Sequence, residues 1–172
     1  SFEAISYGRD LADQINTTCI AVSIGDKGSE NLGQYGAHQE INVQGDIYQA
    51  FNPNTYAKAI SELSSKNDGQ IIVLSQTYNG KSIAPLLAIK QDAGLITGII
   101  GMVNTSGGFK VKTTAFSNKA VAHVQVNQDN KILSIIPNSY QVNSYDSKSE
   151  IISQSINVSK EDLNTNILKT EK

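Results

Sequence analysis

Residues Gln70–Gly94, QIIVLSQTYNGKSIAPLLAIKQDAG, decide the fold class of this chain of 172 residues. The segment begins with a continuous apolar run, Ile71–Leu74, which is typical of a strand buried on both faces in a parallel sheet. After a polar turn, apolar side chains recur at the spacing of a helix with one buried face: Ile83, Leu86, Leu87 and Ala93. We therefore predict a strand–loop–helix unit. In open α/β sheets, the loop that follows such a strand is where ligands usually bind.

The start of this helix determines what its loop can do. We predict Ser82 as the N-cap, which would leave Pro85 in the first turn, where a missing amide has no helical partner to lose. Asn79–Ser82 would then place a glycine, a cation and a hydroxyl at a helix N-terminus, an arrangement that can hold an anion. The alternative is a turn glycine, a solvent-facing lysine and a capping serine, and the four residues alone favour it.

The N-terminal half alternates predicted helices and strands, as an α/β domain does. We predict these elements in order: a helix over Ser1–Asn16, a strand over Thr18–Ile24, a short helix over Ser29–Tyr35 with Gly36 as its left-handed terminator, a strand over His38–Val43, and a helix capped by Asn52 that runs to Ser65. It is unusual for such a domain to open on a helix. We expect either that the domain starts this way or that a leading strand is missing from the chain.

The C-terminal half changes to consecutive strands: Leu95–Val103, Phe109–Thr114, Lys119–Val126 and Lys131–Ile136. Residues 119–126 alternate in the way of a half-buried antiparallel strand, so we predict that these elements form a β-meander on the same sheet. We predict one α/β domain over residues 1–140. Residues 141–172 are rich in Ser, Asn, Lys and Glu, and we interpret them as a linker or arm in which Ile151–Ile152 and Ile156/Val158 could add a strand.

Composition excludes several classes of function. The formal net charge is −2 and no basic stripe occurs, so we expect no nucleic-acid partner. No apolar run approaches the ~20 residues of a membrane span, so we expect no membrane insertion. Cys19 is the only cysteine, which excludes an intrachain disulfide and fits a reducing compartment. We expect a soluble intracellular protein.

We find no constellation of residues that predicts catalysis or metal binding. The histidines, His38 and His123, lie far apart in the sequence and have no ligand spacing with Cys19. The candidate nucleophiles are three predicted loop serines without a G-x-S-x-G motif or an obvious base: Ser23, Ser75 and Ser82. The paired carboxylates are predicted to face solvent: Asp10/Asp13 and Glu161/Asp162. We therefore name no catalytic, cofactor-binding or metal residue.

Taken in order, these segments resemble the N-terminal domain of the electron-transfer flavoprotein alpha subunit over residues 1–140. The main match is to the family pattern Gly-[Lys/Arg]-x-[Leu/Ile]-x-Pro before a Leu- and Ala-rich helix, here Gly80–Pro85. Four further segments resemble the family's first helix, its LGKYGA-like segment, its KALA-type strand and its FSV-type strand: Ser1–Ala12, Leu32–Ala37, Lys119–Ala122 and Leu133–Ile135. The family's first helix normally follows a first strand, which we expect to be absent here.

The chain departs from the family pattern at four points. The family commonly has an arginine, an acidic residue, a glycine pair and a second arginine where this chain has, respectively, Leu86, Gly98, Ser117–Asn118 and Ile136. In the family a second domain follows that holds most of the FAD site; residues 141–172 resemble the connector to it, and we expect that domain to be absent from this chain.

The resemblance implies a three-layer α/β fold with a mostly parallel sheet, like that of the adenine-nucleotide alpha-hydrolases. It also implies a scaffold role without catalysis, in a heterodimer with the electron-transfer flavoprotein beta subunit. That heterodimer carries FAD and passes electrons from flavin dehydrogenases, such as acyl-CoA dehydrogenases, to the respiratory chain. We expect no FAD on this chain, and a location in the bacterial cytoplasm or the mitochondrial matrix. The alternative is an AMP- or ATP-binding module of the universal-stress type that uses the loop over 75–82.

Overall fold

Two β-sheets and three α-helices form the part of the chain that the structure, a computed structural model, describes: residues 2–25, 31–156, 158 and 163. The helices are α1 (Phe2–Gln14), α2 (Pro53–Lys66) and α3 (Tyr78–Gln91). The strands are β1 (Ile20–Ile24), β2 (Gln39–Val43), β3 (Ile71–Ser75), β4 (Gly94–Ile99), β5 (Phe109–Ala115), β6 (Ala120–Val126), β7 (Lys131–Ile135) and β8 (Glu150–Gln154). The predicted α/β class is confirmed.

The larger sheet has five strands in the order β3-β7-β4-β5-β6. The first three strands run parallel, whereas β5 is antiparallel to both of its neighbours. The predicted antiparallel pairing of β5 with β6 is confirmed, but the prediction that β7 continues a meander is wrong. β7 lies between β3 and β4, because its apolar residues need burial on both faces and only the centre of the sheet provides it. β3 is thus one of the two edge strands of this sheet, and β6 is the other.

Helices cover both faces of this sheet, as predicted. On one face, Tyr7 and Leu11 of α1 pack with apolar residues that include Leu133 and Ile135 of β7. On the other face, Leu87 of α3 packs with Ile132 of the same strand. Alternate residues of β3 also divide between the two clusters, so the apolar run that defines this strand is covered from both sides. The three-layer arrangement is confirmed.

The smaller sheet contains β1, β2 and β8, all parallel. Helix α2 connects the two sheets, because its Leu63 packs with Ile41 of β2 while its Ala57 packs with Ile132 of β7. The prediction of a single sheet is wrong for the described residues. Within them, β1 pairs only with β2 and β3 only with β7, and no described strand joins the two edges.

Local sequence signals set several element boundaries. Asn52 caps α2, since its side chain accepts hydrogen bonds from the amides of Asn54 and Thr55. Gly36 ends a 3-10 helix, Leu32–Tyr35, in the left-handed conformation (φ 113°), as predicted. The remainder of the predicted short helix, at residues 29–30, lies outside the described residues. The predicted strand over 95–103 ends early, at Ile99, where Gly98 has a φ of 74° and the pairing with β7 shifts register.

The chain beyond Tyr140 lies against the rest of the structure at least to Ile156. β8 confirms the strand foreseen at Ile151–Ile152, and it pairs with β2 along its whole length. The division of the chain at residue 140 stays a prediction. None of the helices in the described ranges is long and apolar enough to cross a membrane.

Candidate functional site

The connection from β3 to α3 is much shorter than predicted. Only Gln76 and Thr77 separate the strand from the helix, which begins at Tyr78. Thr77 is the N-cap, and its Oγ1 accepts a hydrogen bond from the amide of Gly80 (3.2 Å). The prediction that Ser82 caps this helix is therefore wrong. Its hydroxyl donates instead to the carbonyl of Tyr78 (3.1 Å), one turn back.

The residues proposed for anion binding are part of the first helical turns. Gly80 is buried, and a Cβ on it would lie 2.0 Å from the carbonyl oxygen of Ser75. Lys81 is exposed, and its amide donates to the carbonyl of Thr77 (2.9 Å). Pro85 lies inside the helix and not in its first turn. The amides of Gly80 and Lys81 thus already have acceptors, so Asn79–Ser82 does not form the open loop that an anion would need.

Gln76 makes hydrogen bonds to two other strands at the carboxyl end of the larger sheet. Its backbone amide donates to the carbonyl of Ile135 in β7, and its Oε1 accepts from the amide of Gly98 in β4 (2.5 Å). The hydrogen bond of this side chain links the end of β3 to the bulge in β4. No sequence signal pointed to it, because the bulge that frees the Gly98 amide depends on strand pairing distant in sequence.

The two histidines and the cysteine lie in surroundings that are typical of structural residues. His38 Nδ1 accepts a hydrogen bond from the amide of Cys19 (2.9 Å), and His123 is exposed on β6. Burial raises the pKa of the Cys19 thiol to about 11, with smaller opposing effects from Arg9, which lowers it, and Asp13, which raises it. Among the described residues, no group of three or more His, Cys, Asp or Glu side chains could hold a metal ion.

The three candidate serines are not brought together with a base. Ser23 Oγ donates to Glu40 Oε1 over a long distance (3.5 Å), and Ser75 Oγ is buried without a hydrogen-bond partner. Within the described ranges, no hydrogen bond joins Ser23, Ser75 or Ser82 to a histidine. Glu40 is almost fully buried (1% exposed), and its Oε2 accepts no hydrogen bond.

Asp10 is the centre of a polar cluster that sequence reasoning missed. Its carboxylate accepts hydrogen bonds from the Tyr140 hydroxyl (2.5 Å), the Tyr145 hydroxyl (2.7 Å) and Asn143 Nδ2 (3.0 Å). The prediction that Asp10 faces solvent is therefore wrong, whereas Asp13 is exposed and pairs with Arg9 (2.9 Å). The other predicted pair, Glu161/Asp162, lies outside the described residues. The donors to Asp10 are 130 to 135 positions away in sequence, so no local pattern could have revealed them.

These contacts hold the segment that joins the two sheets, which we call the strap (Asn138–Ser149). The amide of Asn143 donates to Ser6 Oγ of α1, and the amide of Ser149 donates to Asn31 Oδ1 beside the 3-10 helix. Ser147 Oγ donates to the carbonyl of Gly33 (2.8 Å). The strap has no helix or strand of its own, so these polar contacts position β8 beside β2.

We expect alkaline pH to weaken the attachment of the strap. Burial raises the pKa of Tyr140, as do its hydrogen bond to Asp10 and the nearby charges; burial is also the main cause of the raised pKa of Tyr145. A group whose pKa is higher in the folded state stabilises the fold fully below the unfolded pKa of about 10, and this contribution is lost as the pH rises through the folded value. Urea unfolding followed from pH 8 to pH 11 should show stability falling above about pH 10.

The double variant Tyr140→Phe/Tyr145→Phe is the control for this prediction. It lacks the two tyrosine hydroxyls that donate to Asp10, so its stability should be lower at pH 8 but should fall less between pH 10 and pH 11. Equal pH dependence of the two proteins would contradict the assignment.

These features define a three-layer α/β domain in which the Gln76 side chain links the end of β3 to β4. The family model described as "Electron transfer flavoprotein domain" matches residues 1–162 of this chain. The chain therefore belongs to the electron transfer flavoprotein domain family, whose members bind flavin.

Several curated proteins resemble the chain. The electron transfer flavoprotein subunit alpha of Bacillus subtilis is 27% identical over 176 residues, covering 100% of this chain and 53% of that protein. The subunit alpha of Syntrophomonas wolfei is 30% identical over 131 residues, covering 73% and 39%. The acryloyl-CoA reductase electron transfer subunit beta of Anaerotignum propionicum is 28% identical over 97 residues, covering 55% and 26%. The chain thus spans about half the length of the Bacillus relative, and less of the other two.

Proposed function

We propose that this chain is the scaffold domain of an electron-transfer flavoprotein alpha subunit. In this role it packs against a beta subunit and supplies no catalytic group. The heterodimer carries electrons from flavin dehydrogenases, such as acyl-CoA dehydrogenases, towards the respiratory chain. FAD binds in the heterodimer outside this domain. The proposal rests on the family membership and on the three curated relatives, each named as an electron transfer subunit.

One structural observation carries the scaffold role: the closed end of β3. Thr77 accepts a hydrogen bond from the amide of Gly80 in the first turn of α3, and the Gln76 side chain accepts one from the amide of Gly98 in β4. Gly80 brings the helix so close to the Ser75 carbonyl that there is no room for a ligand group between them. At the end of β3, where the strand–loop–helix unit of an α/β sheet can hold a ligand, the first turn of α3 therefore packs directly on the strand.

The same observation weighs against the alternative, an AMP- or ATP-binding module of the universal-stress type. That module would need Asn79–Ser82 as an open loop with free amides, whereas these residues are helical and two of their amides are bonded. Calorimetric titration of the chain with AMP and with ATP should give no heat of binding. Micromolar binding that Lys81→Ala abolishes would establish the nucleotide-binding module instead.

The scaffold role predicts what the purified chain carries and binds. The chain purified alone should show no stoichiometric flavin absorbance in its visible spectrum. Co-expressed with the beta subunit from its source organism, it should elute with that subunit as one complex in size-exclusion chromatography. Bound flavin on the isolated chain would place the cofactor site on this chain. Separate elution of the two proteins would contradict the proposed scaffold role.

A further inference from the structure

The described region around β5 and β6 differs in charge from the rest of the chain. The formal net charge of the whole protein is −2, but residues 93–128 contain no aspartate or glutamate. They contain three lysines, Lys110, Lys112 and Lys119, and His123. Because acidic residues are missing there, this hairpin is net positive in a protein whose overall net charge is negative.

Strand pairing places most of this charge on one surface. Lys110 lies opposite Gln125, Lys112 opposite His123, and Thr114 opposite Val121. Paired residues of an antiparallel ribbon share a face, so these six side chains form one surface, which we call the ribbon face. All but Thr114 are exposed, while the alternate residues Val111 and Thr113 are buried in the opposite direction.

No described element covers the ribbon face. Helix α3 packs on β3, β7 and β4 and stops short of the hairpin. β6 is the outermost strand of its sheet and pairs only with β5 among the described residues. Val121 is 56% exposed in the middle of the lysines, so the surface is partly apolar as well as basic.

The turn of the hairpin presents an aromatic side chain. Phe116 is 83% exposed and has a φ of 49°, and Ser117 (53°) and Asn118 (64°) follow in the same left-handed conformation. Phenylalanine and serine rarely adopt this backbone, and consecutive residues do so even less often. The strained backbone of this turn keeps the Phe116 ring exposed, away from the domain. Such a ring is suited to contact a partner, since aromatic side chains dominate the energetics of many interfaces.

We propose that the ribbon face docks an acidic surface of a protein partner, with Phe116 as its apolar anchor. Charge complementarity identifies the occupant: Lys110, Lys112 and His123 on the ribbon face and Lys119 in the adjoining turn, without a carboxylate among them, match a surface of aspartates and glutamates. Three lysines without an arginine would neutralise few phosphates, and Val121 interrupts them, so a nucleic acid fits this face less well. The inference rests on the proposed function, in which this domain packs on a beta subunit.

The test measures binding of the full chain to the beta subunit of its source organism by calorimetry, at low and at moderate salt. The double variant Lys110→Glu/Lys112→Glu should weaken binding by at least about ten-fold, and its remaining affinity should depend less on salt than that of the parent chain. The matched control is Lys66→Glu/Lys81→Glu, which changes the charge equally at exposed positions on α2 and α3. The control should bind like the parent.

A second variant, Phe116→Ser, tests the anchor. It should also weaken binding by about ten-fold, with an unchanged melting temperature, because the ring packs on little of its own domain. Equal binding by the parent, the double variant and Phe116→Ser would overturn the inference and leave the scaffold role standing. Failure of the parent chain to bind would remove the scaffold role itself. Tight, salt-dependent binding of a single-stranded RNA that Lys110→Glu/Lys112→Glu abolishes would replace the acidic protein with a nucleic acid.

Discussion

Replacing Gly80 with alanine is expected to lower the free energy of unfolding by about 3 kcal/mol or more. The added Cβ would lie 2.0 Å from the carbonyl oxygen of Ser75, a backbone atom that cannot rotate away. Alanine favours a helix over glycine by about 1 kcal/mol, which is too little to offset the clash. Relief requires α3 to move away from β3, and the Thr77 cap would be strained with it.

Urea unfolding followed by circular dichroism would measure this effect, and Gly101→Ala is the matched control. A Cβ on Gly101 would meet no atom within 4 Å, so that change should stay within about 0.5 kcal/mol. For a domain of this size, Gly80→Ala should lower the melting temperature by roughly 6 to 12 °C. A shift of less than 2 °C, relative to the control, would mean that the helix is not held against the Ser75 carbonyl.

Replacing Leu133 with alanine should cost about 2 to 5 kcal/mol. Leu133 lies in the central strand β7, is fully buried, and packs with Tyr7 and Ile135. Alanine would leave a cavity between the sheet and α1, and neighbours on both adjoining strands restrict collapse into it. The loss of unfolding free energy should be near the lower end of that range if α1 can move into the cavity, and near the upper end if it cannot.

The comparison for Leu133→Ala is Ile151→Ala in the outer strand β8, where the side chain is 55% exposed. That variant should lose less than about 1 kcal/mol, measured in the same urea titration. Similar losses at the two positions would contradict the placement of β7 at the centre of the sheet. A change in the slope of the transition would instead point to a loss of two-state unfolding.

Local sequence signals predicted most of the elements but not the way in which they meet. The apolar run at Ile71–Leu74, the Asn52 cap and the Gly36 terminator act within a few residues, so each is readable from sequence alone. The position of β7 depends on which strand best fills the centre of a sheet, which is decided by contacts between distant segments. The alternating pattern at residues 119–126, from which the meander was predicted, carries no information on that choice.

In the candidate site, too, local sequence predicts some features, while others depend on contacts between distant segments. Ser82 and Thr77 are both good capping residues, and only the close approach of Gly80 to Ser75 selects Thr77. That approach depends on the packing of α3 against β7, which no pattern around residue 80 records. The sequence of α1 predicts a solvent-facing Asp10, because nothing near residue 10 indicates that two tyrosines of the strap donate hydrogen bonds to its carboxylate.

The position of β7 also sets the order of events during synthesis. A ribosome releases β3, α3 and β4 well before it releases Lys131–Ile135, the strand that must lie between them. Until then, β3 and β4 each expose an edge of unpaired backbone N–H and C=O groups that could pair with the other strand or with a neighbouring nascent chain. The five-stranded sheet can therefore close only after Lys131–Ile135 has been released.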